Sequence, residues 1–160
     1  SRVLVAVREL TPERYLRPMG FGLGTAGSTL AHLYTSEWYY VERWQGHEVP
    51  PYATWPVQYQ HPPALAELES RWRPLMQHAR GVIAAERNWQ RPISYDTFAD
   101  EQGRRFRITA TPADIFAQLA LHEAHHRAQL LAMLRLMGDA PTVEDIDYSE
   151  MMYERVPLNA

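Results

Sequence analysis

The stretch Leu121-His122-Glu123-Ala124-His125-His126-Arg127-Ala128-Gln129 sets two imidazoles, His122 and His126, four residues apart. On a helix that spacing puts both rings on one face, one turn apart, where they can grip one ion. The rings also fall in an apolar seam. Ile115, Leu119, His122, His126, Gln129, Met133 and Leu136 alternate steps of four and three, the spacing of a helix-bundle core. Polar rings in such a seam need partners, because a buried polar group left without one is costly. A metal ion is one such partner.

Local signals bound the helix that carries the pair. Thr111-Pro112-Ala113-Asp114 opens it, with Thr111 as N-cap, Pro112 at the first helical position and Asp114 completing a capping box. Gly138 closes it. Upstream, residues 93–98 and 105–109 have β-type composition around a turn at 100–103, which predicts a small hairpin. Residues 64–89 read as a helix with Pro74 in its middle, a position that predicts a kink. The connector before it, residues 47–63, holds Pro50, Pro51, Pro56, Pro62 and Pro63. It is long for a compact domain, and such loops are often crossovers or functional walls. Another helix is expected from an N-cap at Ser28 or Thr29 to about Trp44, stopping at Gly46. Residues 15–27 form a Gly-rich loop, residues 2–10 a short helix, and the tail a further short helix around 144–154. The sum is one all-α domain over residues 1–160. It is a four-helix bundle with a small β-hairpin between the last two long helices. The long connector makes the helices on either side of it parallel, an up-down-down-up order.

Composition narrows the classes. The chain has 160 residues, 46% hydrophobic and 22% charged, as expected of a globular protein. No apolar run approaches the roughly 20 residues that cross a bilayer, and no signal peptide is legible. A net charge of -3, from 16 basic and 19 acidic residues, gives no basic surplus for nucleic acid. There is no cysteine, so disulfides, thiolate ligands and a cysteine nucleophile are excluded. A cytoplasmic location fits that composition.

A catalytic ion usually has three protein ligands and one open position. The candidates for the third are His32, His47, His61, His78 and His125. His47 and His61 fall in the Pro-rich connector. His78 has no partner at ligand spacing, and His125 points away from the pair's face. His32 sits beside Ser28, Thr29 and Ser36, small side chains that leave room for a pocket. Yet the apolar stripe of its helix is Leu30, Leu33, Glu37, Tyr40, Val41 and Trp44. His32 lies off the centre of that stripe, so periodicity alone does not choose it.

The run His32-Leu33-Tyr34-Thr35-Ser36-Glu37-Trp38, followed by His122-xxx-His126-Arg127-Ala128-Gln129, resembles the DinB/YfiT-like four-helix-bundle metal-binding superfamily. The resemblance spans most of the chain. It implies metal ligands at His32, His122 and His126, a divalent ion such as zinc or nickel, and a small-molecule substrate. Some members are thiol transferases or isomerases that use a low-molecular-weight thiol. Two departures are visible: Ala128 stands where the motif has Gly, and the family's first helix is longer than residues 2–10. Gln129, Glu37 and Arg127 are the candidates for supporting or lining the site. Gln129 continues the ligand face, and Glu37 on an apolar stripe needs a partner. Arg127 is expected to pair with a carboxylate such as Glu37 or to lie at a subunit contact. Trp38, Tyr39, Tyr40 and Trp44 exceed what one core needs, so some are expected at the pocket or at a homodimer face.

Two rival readings come from other classes. His122-Glu123-Ala124-His125-His126 also matches the H-E-x-x-H signature of zinc metallopeptidases, with Glu123 as general base and Glu144 or Glu150 as third ligand. Alternatively, the chain is a non-catalytic, metal-stabilised bundle that acts through dimerisation.

Overall fold

The computed structural model describes residues 4, 7–99 and 102–138. Among them, four helices and one two-stranded antiparallel sheet follow in order: α1 (Pro12–Tyr15), α2 (Ala26–Trp44), α3 (Leu65–Ala85), β1 (Ile93–Asp96), β2 (Arg107–Ala110) and α4 (Pro112–Met137). A 3-10 turn, Tyr52–Thr54, interrupts the Pro-rich connector. Leu4, Val7 and Arg8 have helical backbone. No described helix is long and apolar enough to cross a membrane.

The helix termini are set by local chemistry. α4 has the expected capping box at Thr111 and Asp114, Pro112 in its first turn, and Gly138 in the left-handed conformation at φ 81° beyond its end. The cap of α2 is Thr25, whose hydroxyl accepts from the Ser28 amide at 2.9 Å; the expected caps Ser28 and Thr29 lie inside the helix. α3 contains Pro74 but ends at Ala85, short of the expected residue 89. It stops there because the Glu86 carboxylate accepts from the amides of Arg87 and Asn88 and turns the chain. The hairpin pairs Ile93 with Ala110 through Asp96 with Arg107, so its second strand starts and ends later than expected. Residues 100 and 101 of the expected turn, and the expected tail helix, lie outside the described residues.

α2 is the central element, since both α3 and α4 pack on it. The larger core joins Leu30, Leu33 and Tyr34 of α2, Leu68, Trp72 and Leu75 of α3, and Leu130, Met133 and Leu134 of α4. A smaller core, Trp44, Ile93 and Ile115, seats the hairpin against the other end of α2 and α4. The α4 seam holds from Ile115 to Met133 but not at its end: Leu136 is 67% exposed, and Met137 is buried in its place. From Met133 the step to the core is four residues, as the 3.6-residue period requires after the preceding step of four.

Of the aromatic run of α2, Trp44 lines a groove shared with His122, while Trp38 and Tyr39 pack on the connector. Tyr39 stacks on Trp55 of the connector, ring centroids 5.4 Å apart, and Trp38 meets the same indole. The Arg43 guanidinium lies over the rings of Tyr39 and Tyr95. These contacts bind the connector and the hairpin to α2.

Candidate metal centre

His122 and His126 come from successive turns of α4, and His32 comes from the second turn of α2, which packs against it. One ring nitrogen from each of the three lies within 4.8 Å of the others. Nε2 of His32 and Nε2 of His122 are 2.9 Å apart. The ring centroids lie 4.5 to 4.9 Å from one another. His126 is buried, while His32 and His122 are half-buried. The rings therefore converge from two helices on one point.

Their electrostatics suit a cation. Burial, and the neighbouring His122 and His126 rings, bring the His32 pKa down to about 4. Burial and the His126 and His125 rings bring His122 down to about 4. His126 is also lowered, by burial first, with Gln129 pulling the other way. Near neutral pH all three rings are thus uncharged. Each neutral imidazole has one nitrogen lone pair to offer. Three neutral nitrogen donors on one centre are the donor set that zinc, nickel and related ions accept, so the residues fit a divalent ion.

The surroundings of the triad come from three sources. The Gln129 amide oxygen lies 2.8 Å from His126 Nδ1, and its amide nitrogen 3.0 Å from Nε2 of the exposed His125. Gly22, in the loop before α2, approaches the same amide. Tyr59 of the connector meets the His32 ring edge to face at 5.4 Å. Tyr59 is itself fixed by its amide, which donates to the Tyr52 hydroxyl at 3.0 Å. The connector is thus a wall of the site, as its length suggests. Gly22 and Tyr59 carry no motif, and sequence reading did not single them out. His47, His61 and His78 stand apart from the triad: His47 pairs with Glu42 and His78 with Gln45.

Glu37 and Arg127 lie in a groove of about 410 Å³ floored by α2 and walled by α3 and α4. His122 and Glu123 line the same groove, so it adjoins the triad. The Glu37 carboxylate accepts from the Trp72 indole at 2.5 Å, which supplies the partner its apolar stripe calls for. Burial, and to a smaller extent the Glu123 carboxylate, raise its pKa, against Trp72 and Arg80. Arg127 is buried.

The DinB family model matches residues 1–156. The chain belongs to the DinB family. The match covers both helices that supply the triad, in agreement with the motif resemblance. No curated protein matches this DinB-family chain. Family membership and the three-histidine cluster stand together, while the fold by itself does not specify a reaction.

Proposed function

We propose that this DinB-family chain is a divalent-metal-dependent enzyme, within a four-helix bundle of up-down-down-up order, and that His32, His122 and His126 hold the ion. The observation that carries this reading is the convergence of three ring nitrogens within 4.8 Å. Zinc or nickel held there would supply Lewis acidity, polarising a substrate atom or lowering the pKa of a thiol or water. Three ligands leave a coordination position for substrate. The chain's own part is to keep the rings unprotonated and aimed, and burial between α2 and α4 does both. The substrate we propose, on the resemblance to thiol-using members of the family, is a low-molecular-weight thiol with its acceptor; in a chain without cysteine that thiol would come from a cosubstrate. A homodimer is part of the same proposal.

Elemental analysis of purified protein, beside His32→Ala and His126→Ala, tests the metal. About one ion per chain in wild type, lost in both variants, is the expected result. No ion after incubation with zinc or nickel overturns the metalloenzyme reading and leaves a non-catalytic bundle. A thiol-consumption assay then tests the reaction: turnover should require both the ion and His122. Peptide cleavage abolished by Glu123→Gln would replace thiol transfer with the peptidase reading.

A further inference from the structure

We infer that Gln129, held in place by Gly22, is a positioning residue that fixes the His126 ring in the form that presents Nε2 to the ion. This inference rests on the metal reading proposed above. A glutamine amide oxygen only accepts, so the 2.8 Å contact between Gln129 Oε1 and His126 Nδ1 requires the proton on Nδ1. In a neutral ring that leaves the lone pair on Nε2. Gln129 Nε2 can only donate, and it lies 3.0 Å from Nε2 of His125, which accepts. In this orientation both contacts are satisfied: His126 donates through Nδ1 to the amide oxygen, and His125 accepts from the amide nitrogen. The glutamine thus favours the Nδ1–H form of the ligand, with His125 as the partner of its amide nitrogen.

The loop before α2 closes this arrangement from outside. Gly22 has φ 60°, in the left-handed region that favours glycine. A Cβ at that position would stand 3.1 Å from Gln129 Oε1 and 3.3 Å from its Cδ. The Met19 amide donates to the Gly24 carbonyl, and the Gly24 amide donates to the Phe21 carbonyl, so the loop is pinned on both sides of the glycine. A side chain at residue 22 would press on the end of the glutamine, which would have to shift to make room. Outer partners of this kind fix ring orientation and ligand basicity, and their loss commonly costs 10- to 100-fold in metal affinity.

The test has two readouts. In the metal-free protein, long-range ¹H–¹⁵N correlation spectra report which nitrogen of His126 carries the proton. Zinc affinity is then measured by competition with a chromophoric chelator. Wild type should show the Nδ1–H form. Gln129→Leu should lose that preference and bind zinc about 10- to 100-fold more weakly, with the melting temperature of the metal-free protein little changed. Gln129→Glu, which keeps an acceptor, should restore both readouts. Gly22→Ala should move both in the direction of Gln129→Leu. An Nε2–H form in wild type, or unchanged zinc affinity in Gln129→Leu, overturns the inference. If wild type binds no zinc but its His126 proton sits on Nδ1 and moves in Gln129→Leu, the positioning role stands and the metalloenzyme reading falls.

Discussion

At the scale of single residues, the glycine with least room around it is Gly27, in the first turn of α2. A Cβ there would meet Cε1 of Tyr15 at 2.7 Å and Cζ at 2.9 Å, closer than carbon atoms approach without one of them moving. Tyr15 cannot swing away freely. It is 5% exposed, closes α1, and donates its hydroxyl to the Pro63 carbonyl at 3.3 Å. Alanine is ordinarily the better helix residue by about 1 kcal/mol, but overpacking a filled core costs about 1–3 kcal/mol. The steric term wins because the obstacle is a buried ring tied at its far end. Gly27→Ala should therefore destabilise the protein in urea denaturation, and a Tyr15→Ala background should remove the penalty. A gain in stability from Gly27→Ala alone would show that the ring yields.

Elements show where sequence reading succeeds and where it stops. α4 was legible at both ends because its signals are local: a threonine and an aspartate three residues apart, a proline between them, and a terminal glycine. The cap of α2 was misplaced because Thr25, Ser28 and Thr29 offer three hydroxyls in five residues, and the residues after Thr25 include a glycine. The end of α3 was overshot because what stops it is the Glu86 side chain, and no helix-breaking residue stands before Pro92. The site divides in the same way. The His122–His126 pair and Gln129 share one helix and one face, so spacing alone placed them together. His32 reaches them across a helix contact that periodicity does not encode, and the family motif was needed to choose it. Gly22 and Tyr59 reach them from loops, where no period exists.

The same Glu86 makes a pH prediction for this end of the elements. Its carboxylate accepts from the Trp44 indole of α2 at 2.9 Å and from Arg91 at 3.0 Å. The Asn88 amide, then Trp44 and Arg91, lower its pKa from 4.5 to about 2. A carboxylate lowered on folding stabilises the native state above its unfolded value. That contribution is lost as pH falls from 4.5 through about 2. Glu86→Gln should melt at a lower temperature than wild type at neutral pH, and the gap should close as the pH approaches the lower value. A gap that stays constant with pH would mean that shape rather than charge holds the junction.

For the molecule as a whole, the groove between α3 and α4 makes a binding prediction. Leu30, Leu33, Glu37, Val41 and Trp44 of α2 all line the groove between α3 and α4, which follows α2 for about 21 Å at the α-helical rise. Leu4 lines it as well, and the neighbouring Val7 is fully buried. The three long helices thus bound this groove. Most of its lining is apolar, with Met76, Val82, Ile83, Phe116 and Leu119 on the walls. A contiguous apolar surface of this length marks a place where something binds or packs. The chain should accordingly bind anilinonaphthalene sulfonate with enhanced fluorescence in its folded state. Ile83→Glu and Leu119→Glu place a charge on opposite walls at half-buried positions, and each should weaken the dye several-fold, because an ionised carboxylate in apolar surroundings is costly. His122 lines the groove as well as the triad, so zinc at the triad should alter the dye's affinity while leaving its stoichiometry unchanged. Dye binding insensitive to both substitutions would place the exposed apolar surface elsewhere, with the exposed Leu121 and Leu136 on α4 as the next residues to change.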